Sequence, residues 1–280
     1  MGRIEKQTIQ LDSTDESRTL RVYLPEAYDR DPSRTFPLMV MLDGQDVFGE
    51  FIDESAAGQS WHVDDILSGM ETDGSGELVV VAIDNAGEAR YREYSPFDNR
   101  DSRHFPRFGG EAIEGEGAAF AAFVADTLLP WAAEHFRIDL DRVGIAGGSM
   151  GGLIALYIAA RYPHIFQQVG AFSTALWYCE KAMLAFLKSA ALSDQQTFHL
   201  HVGTAENAPR GIPGIRQIYV DNALAIQDVL LRKGLKPDRV RLHIHVGGEH
   251  TEDTWHRQLP SFLTAVLAEF GRQKDFHGTD

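Results

Sequence analysis

Gly147-Gly148-Ser149-Met150-Gly151 joins two apolar segments of this 280-residue chain and has the pattern Gly-x-Ser-x-Gly. The segment before it, 142–146, has the composition of a short buried strand, and the segment after it, 150–160, has helical spacing. A serine between a strand and a helix lies on a tight turn with its hydroxyl exposed. The backbone N–H of Met150 opens the helix and has no partner within it. The segment therefore predicts a nucleophile, Ser149, and one hydrogen-bond donor for a negatively charged oxygen.

Strand and helix signals alternate along most of the chain. Strands are predicted at 4–11, 19–25, 37–42, 77–83, 142–146, 168–172, 197–202 and 240–246, and helices at 61–70, 117–136, 150–160, 179–191, 215–233 and 252–270. The first two strands, separated by a polar turn, predict an antiparallel hairpin at a sheet edge. Continuous apolar strands alternating with helices are typical of a mostly parallel sheet covered on both faces. We therefore expect a single α/β domain over residues 1–280.

Composition limits the partners that this chain can have. The 26 basic and 41 acidic side chains give a net charge of −15, which disfavours nucleic acid and anionic membranes as partners. The single cysteine, Cys179, excludes an internal disulfide, and no motif around it indicates a nucleophile. An apolar signal core and a run of 18 apolar residues are both missing from the sequence. We expect a cytoplasmic protein without a membrane span, and a homo-oligomer is left open.

A nucleophilic serine needs a general base, and the base needs an acid to orient it. When the three residues follow the order serine, acid, histidine, the acid and the histidine lie on loops after strands. Among the histidines that follow Ser149, His250 is the one in a loop just beyond the last strand. Glu206 is the first acid beyond the preceding strand. Its rivals are Asp194, which precedes that strand, and Asp221, which lies in a predicted helix.

The loop after the third strand, Asp43-Gly44-Gln45, is the expected source of a second donor. The backbone N–H of Gln45, together with that of Met150, would stabilise the developing oxyanion. We expect Asp43 and Gly44 to contact substrate as well, although a plain Asp-Gly turn is the alternative. Trp177, just past the C-terminal end of a strand, is expected in the pocket wall, with the core as the alternative.

Two pairs of histidines lie on strands that are expected to be neighbours. The pairs are His199 with His201 and His243 with His245. A zinc cluster is conceivable there, but no nearby Asp or Glu completes a usual ligand set. We therefore predict no metal site.

Several motifs, in order and spacing, resemble the putative esterase (esterase D-like) family of the α/β-hydrolases. This family includes feruloyl esterases, siderophore esterases, S-formylglutathione hydrolase and mycolyltransferases. The resemblance covers residues 18–265. Its motifs are 41–48, 83–85, Arg90 with 92–96, 115–117 with Phe120 and Phe123, 146–153, Ser173 with Trp177, 203–206, and 248–250 ahead of Trp255.

The resemblance implies an α/β-hydrolase fold and a set of site residues. The implied triad is Ser149 as nucleophile, His250 as base and Glu206 as acid, and the implied oxyanion hole is formed by the amides of Gln45 and Met150. The resemblance also implies that Arg90, Glu93 and Tyr94 brace the region of the site.

These observations predict a serine hydrolase that cleaves carboxylic esters, or thioesters, of a small soluble substrate. The reaction would pass through an acyl-enzyme on Ser149 and would require no cofactor. Two alternatives stay open at this point: an acyltransferase of the same fold, and a non-catalytic binding protein of that fold.

Overall fold

The structure is a computed structural model that describes residues 2–11, 17–55, 58–72, 76–99, 112–208 and 211–277. Most of the predicted turn at 12–17 and the middle of the long segment 90–117 lie outside these residues. The chain divides into two compact units. The first comprises Met1–Asn85, Ala125–Ile145 and Thr251–Asp280, and the second comprises Ala86–Val124 and Ala146–His250.

The predicted strands and helices are present, although the strand predicted at 142–146 begins four residues earlier and the helix predicted at 252–270 ends seven residues later. The strands are β1 (Arg3–Gln10), β2 (Ser17–Leu24), β3 (Phe36–Leu42), β4 (Val79–Ile83), β5 (Ile138–Gly148), β6 (Phe166–Phe172), β7 (Thr197–Gly203) and β8 (Val240–His245). The helices are α1 (Glu26–Arg30), α2 (Val63–Thr72), α3 (Arg90–Glu93), α4 (Gly117–Ala122), α5 (Leu129–His135), α6 (Met150–Arg161), α7 (Glu180–Ser189), α8 (Ile215–Arg232) and α9 (Glu252–His277). Within the described part of the chain, no helix is long and apolar enough to span a membrane.

The strand order is β1-β2-β4-β3-β5-β6-β7-β8. In the first unit, β1 pairs antiparallel with β2, from Arg3 opposite Leu24 to Gln10 opposite Ser17, and β2 pairs antiparallel with β4. Strands β3 and β4 are parallel and buried at every position, as expected of strands covered on both faces. The predicted antiparallel hairpin at the sheet edge is confirmed.

The second unit places three loops at one edge of its parallel strands. Strand β6 pairs in parallel with β7, and β7 pairs in parallel with β8. Their carboxyl ends therefore meet at the same edge, where ligands bind in open α/β sheets. Helix α6, which follows β5, is buried from Met150 to Ala160 and packs against β6. This buried helix fixes the turn that joins it to β5.

Two predicted helices differ from the structure in detail. Helix α2 begins at Val63 because the N–H of Trp61 bonds to a loop carbonyl and His62 has a positive φ of 50°. The predicted helix at 117–136 contains a π-helical segment, Phe123–Leu128, between α4 and α5. Pro130 has no N–H, so the carbonyl four residues earlier loses its usual α-helical hydrogen bond. A π-helical turn, with i→i+5 bonds, accommodates this missing bond. The irregularity therefore precedes the proline.

Candidate active site

Ser149 lies on a strained turn between β5 and α6. Its backbone has φ 58° and ψ −119°, a conformation that glycine adopts more readily than serine. Its N–H donates to the Phe172 carbonyl at 2.8 Å, and its carbonyl accepts from Ala175 at 3.1 Å and from Leu153 at 3.1 Å. These bonds hold the turn against the end of β6 and leave the serine side chain only half-buried.

Glycines let the strand and the helix approach closely around Ser149. A Cβ atom on Gly147 would lie 2.7 Å from the Gly151 backbone, and one on Gly152 would lie 3.1 Å from the Gly147 carbonyl oxygen. Larger residues would push β5 and α6 apart. The Gly-x-Ser-x-Gly pattern is therefore a steric requirement of this turn as well as a motif.

Glu206 is a fully buried carboxylate with three donors. It lies in the loop after β7 and has 0% exposed surface. One carboxylate oxygen accepts from the Ser173 hydroxyl at 2.5 Å and from the Gly203 N–H at 2.9 Å. The other lies 2.7 Å from Nδ1 of His250. Each oxygen of the buried carboxylate is thereby paired, and one of them is directed at the imidazole.

The loops that carry the acid and the histidine are bonded backbone to backbone. Thr204 donates to the His245 carbonyl at 3.0 Å, and Ala205 donates to the Gly248 carbonyl at 2.9 Å. A Cβ atom on Gly203 would lie only 2.1 Å from the Gly248 oxygen, so the two loops touch at a pair of glycines. His250 follows directly, and its side chain is 9% exposed. These backbone bonds hold the two loops together and so keep Glu206 and His250 within reach of each other.

Tyr219, on α8, lies beside both Ser149 and His250 and is not among the residues predicted from the sequence. Its ring lies 5.1 Å from the His250 ring, with a 46° angle between the planes. The Ser149 hydroxyl and the Trp177 side chain lie close to its phenol oxygen. Burial raises the pKa of Tyr219 well above its usual range, and those two neighbours only partly offset the rise. A neutral phenol therefore lies beside the serine.

Trp177 lies close to the serine turn. It belongs to a short 3-10 turn, Leu176–Tyr178, after β6 and is 9% exposed. The bond from Ala175 to the Ser149 carbonyl ties this segment to the turn. The structure therefore brings Trp177 and Ser149 together around the phenol of Tyr219.

Ser173 is a second residue near the acid whose role the sequence did not reveal. It has a positive φ of 44°, and its N–H donates to the His201 carbonyl at 2.7 Å. The strained backbone directs its hydroxyl at Glu206. In the sequence, Ser173 stands out only as part of a motif shared with the esterase family. Its signal, a serine directly after a buried strand, is too common to assign a role.

The Asp43-Gly44-Gln45 loop lies in the first unit, at the end of β3. Asp43 has a left-handed backbone, with φ 59° and ψ 52°, and its carboxylate accepts from the Asn85 side chain at 2.7 Å. The Gln45 side-chain oxygen accepts from the Asn85 N–H at 3.2 Å. A Cβ atom on Gly44 would lie 2.7 Å from the Asp84 nitrogen. The loop is thus held firmly against the end of β4, and its roles toward Ser149 and the substrate stay predictions.

Arg90, Glu93 and Tyr94 form the short helix after β4 and its first following residue. Glu93 is buried and accepts from the Ala86 N–H at 3.0 Å, and the Arg90 guanidinium lies 5.3 Å from the Tyr94 ring centre. The Tyr94 ring in turn packs 5.2 Å from Phe120. These residues brace their own segment, and their effect on Ser149 stays a prediction.

The rival acids lie elsewhere. Asp221, in α8, accepts a hydrogen bond from the Gln217 side chain at 2.8 Å, and Asp194 accepts one from Gln195 at 3.1 Å. Both contacts are on the exposed surface. Glu206 is the acid that the structure places at Nδ1 of His250.

Three of the four strand histidines, His201, His243 and His245, form a stack at the β7–β8 edge of the sheet. The His201 ring lies 4.6 Å from His243 and 5.3 Å from His245, nearly parallel to both. Burial lowers the pKa of His199 to about 3 and the pKa of His201 well below its usual range. Among the described residues, no group of three or more His, Cys, Asp or Glu side chains is arranged to hold a metal ion.

Cys179 lies at the start of α7, outside this arrangement. Burial raises the pKa of its thiol to about 12. A thiol with so high a pKa stays protonated at neutral pH and is a weak nucleophile.

The mostly parallel sheet, its antiparallel first strands and the flanking helices together define an α/β-hydrolase. The chain belongs to the Putative esterase family, whose model matches residues 12–266. Its reaction class is therefore the hydrolysis of carboxylic esters.

Three similar proteins illustrate how far the likeness extends. YbbA of Bacillus subtilis (strain 168), named as uncharacterized, is 25% identical over 263 residues, or 92% of this chain and 94% of YbbA. The ferri-bacillibactin esterase BesA of the same organism is 26% identical over 171 residues, which are 56% of this chain and 54% of BesA. The crystal structure of an IroE-like serine hydrolase from Shewanella oneidensis has a TM-score of 0.74 at 20% identity, covering 95% of this chain and 81% of that one. These comparisons do not favour an acyltransferase or a non-catalytic binding protein.

Proposed function

We propose that the protein hydrolyses carboxylic esters by a triad of Ser149, His250 and Glu206. The observation that carries this proposal is the buried Glu206 carboxylate, 2.7 Å from Nδ1 of His250. Both residues follow parallel strands of the unit that also carries the strained Ser149 turn. Tyr219 contacts both Ser149 and His250, which supports their closeness.

In the proposed reaction, Oγ of Ser149 bonds to the ester carbonyl carbon while its proton passes to Nε2 of His250. The bond between the carbonyl carbon and the alcohol oxygen then breaks, and His250 returns the proton to the departing alcohol. Water attacks the acyl-enzyme by the same route and releases the acid. Glu206 holds the Nδ1 proton and stabilises the imidazolium without taking up the proton itself.

The proposed oxyanion hole consists of the backbone N–H groups of Met150 and Gln45. Met150 is the first residue of α6, and the N–H groups of a first helical turn have no partner within the helix. Gln45 lies two residues after Asp43, whose backbone is left-handed. The Asn85 N–H donates to the Gln45 side chain and so holds the loop in place. Removing one such donor typically slows catalysis by about 100-fold or more.

We further propose that the substrate is a small ester with an aromatic acyl group. Trp177 and Tyr219 supply aromatic surface beside Ser149, and aromatic walls suit such groups. BesA is named for its action on ferri-bacillibactin, which makes siderophore esters the first candidates. Asp43 and Gly44 are proposed to contact the substrate too. We propose that the enzyme acts in the cytoplasm. Its single, buried cysteine forms no internal disulfide, so the fold does not need an oxidising compartment.

A panel of esters tests the proposal. We expect the protein to hydrolyse p-nitrophenyl and methyl hydroxycinnamate esters and to react covalently with a fluorophosphonate probe. Ser149→Ala is expected to lose turnover by about 10,000-fold or more while staying folded. Ser189→Ala, which removes an exposed hydroxyl on α7, is the matched control and should retain full activity. Turnover by Ser149→Ala close to that of the wild type would contradict the proposal.

A further inference from the structure

Tyr219 occupies a position that the triad does not explain. It is 1% exposed and lies in α8, yet its ring faces His250 and its hydroxyl meets Ser149. A buried phenol needs a hydrogen-bond partner, and the hydroxyl that lies beside this one is that of the nucleophile, Ser149.

The Ser149 hydroxyl lies close to the phenol oxygen of Tyr219. Each hydroxyl carries one proton and accepting lone pairs, so a bond between them can run in either direction. In both directions such a bond restricts the rotation of the serine side chain.

The ring of Tyr219 acts on His250. Glu206 holds Nδ1 of the imidazole at 2.7 Å, and a single hydrogen bond of this kind does not by itself set the tilt of a ring. An aromatic ring with its centre 5.1 Å away limits this tilt. The phenol therefore constrains the nucleophile through its hydroxyl and the base through its ring.

We propose that Tyr219 is a positioning residue for the ester hydrolysis proposed above, holding Oγ of Ser149 and the imidazole of His250 in register. The inference rests on that proposed function. Tyr219 keeps its own proton throughout the reaction, and burial, which raises the pKa of the phenol, favours that form at neutral pH.

The test compares the full-length wild type with Tyr219→Phe, Tyr219→Leu and Ser149→Ala. The measurements are the rate of fluorophosphonate labelling, kcat and KM for p-nitrophenyl acetate, and thermal unfolding. Tyr219→Phe is expected to lower the labelling rate and kcat by about 10-fold with KM unchanged within about twofold. Tyr219→Leu should slow labelling further, because the imidazole also loses the ring.

Tyr157→Phe is the matched control. Tyr157 is a buried phenol in α6, packed 4.7 Å from Phe186, and the variant removes a hydroxyl with no proposed role. It should label at the wild-type rate. If Tyr219→Phe behaves in the same way, or changes KM alone, Tyr219 does not position the reacting groups.

Each remaining outcome also decides between the hypotheses. A Tyr219→Phe variant that fails to fold would assign the hydroxyl to stability and overturn the inference. Activity in Ser149→Ala would instead overturn the proposed function itself. Loss of activity in Ser149→Ala together with an unchanged Tyr219→Phe would support the triad and overturn the positioning role of Tyr219.

Discussion

Replacing Glu206 by glutamine tests how the acid directs the imidazole. The substitution keeps the size of the side chain but exchanges one acceptor oxygen for an NH₂ group that only donates. In wild type, one oxygen serves the donors from Ser173 and Gly203, and the other serves His250. An amide oxygen can accept both of the first two bonds. The NH₂ group of Glu206→Gln then faces Nδ1 of His250.

The two possible orientations of the amide are not equivalent. The Gly203 N–H is a fixed backbone donor, whereas the imidazole can move its proton from Nδ1 to Nε2. The amide therefore keeps its oxygen on Gly203, and His250 changes tautomer. An imidazole with its proton on Nε2 cannot accept the proton of Ser149. A substitution of this kind lowers kcat by about 10⁴-fold in triad enzymes, equivalent to about 5.5 kcal/mol.

The assay is the hydrolysis of p-nitrophenyl acetate, with thermal unfolding measured on the same samples. We expect kcat of Glu206→Gln to fall by about 10³- to 10⁴-fold, with little change in the unfolding temperature because size and most hydrogen bonds are kept. Asp221→Asn, the same chemical change at the exposed rival acid, should leave kcat unchanged. A Glu206→Gln variant that retains more than a tenth of wild-type kcat would refute the reasoning.

Three further predictions concern stability, each measured by urea unfolding. Gly203→Ala brings a Cβ atom within 2.1 Å of the Gly248 oxygen and should cost about 2–3 kcal/mol; an unchanged midpoint would show that the loops can separate freely. Burial lowers the pKa of His199 to about 3 in the folded state. As the pH falls, the unfolded chain therefore takes up a proton on this imidazole at a higher pH than the folded protein does. Between pH 6.5 and 5.5 the wild type should therefore lose about 1 kcal/mol more stability than His199→Gln, which still loses the contribution of the buried His201; equal losses in the two proteins would contradict this. Arg21→Met removes two 2.8 Å bonds to Asp84 and should cost about 2–3 kcal/mol; a stabilised variant would contradict this.

Much of the fold could be predicted because its signals are local. Continuous apolar runs mark β3 and β4, and the Gly-x-Ser-x-Gly turn lies within a single strand–turn–helix unit. The order of strands and loops then selects Glu206 and His250, because parallel strands end at a common edge. The structure places these two side chains in direct contact.

Tyr219 could not be predicted in this way. It lies inside α8, where an aromatic residue at helical spacing indicates only a core position. Its contacts with Ser149 and His250 join three segments that are far apart in sequence, and no local pattern encodes such a meeting. The stack of His201 on His243 is similar, because it depends on the register between β7 and β8.

The backbone of Ser149 has a consequence for protein engineering. Holding a non-glycine residue at φ 58° costs on the order of 1–3 kcal/mol, which glycine would largely relieve. Selection for heat resistance alone should therefore favour Ser149→Gly, the very change that removes the attacking oxygen. Such a variant would combine a more stable backbone with the remaining site residues, His250 and Glu206, unchanged. It would be the natural choice for capturing an uncleaved ester in a crystal.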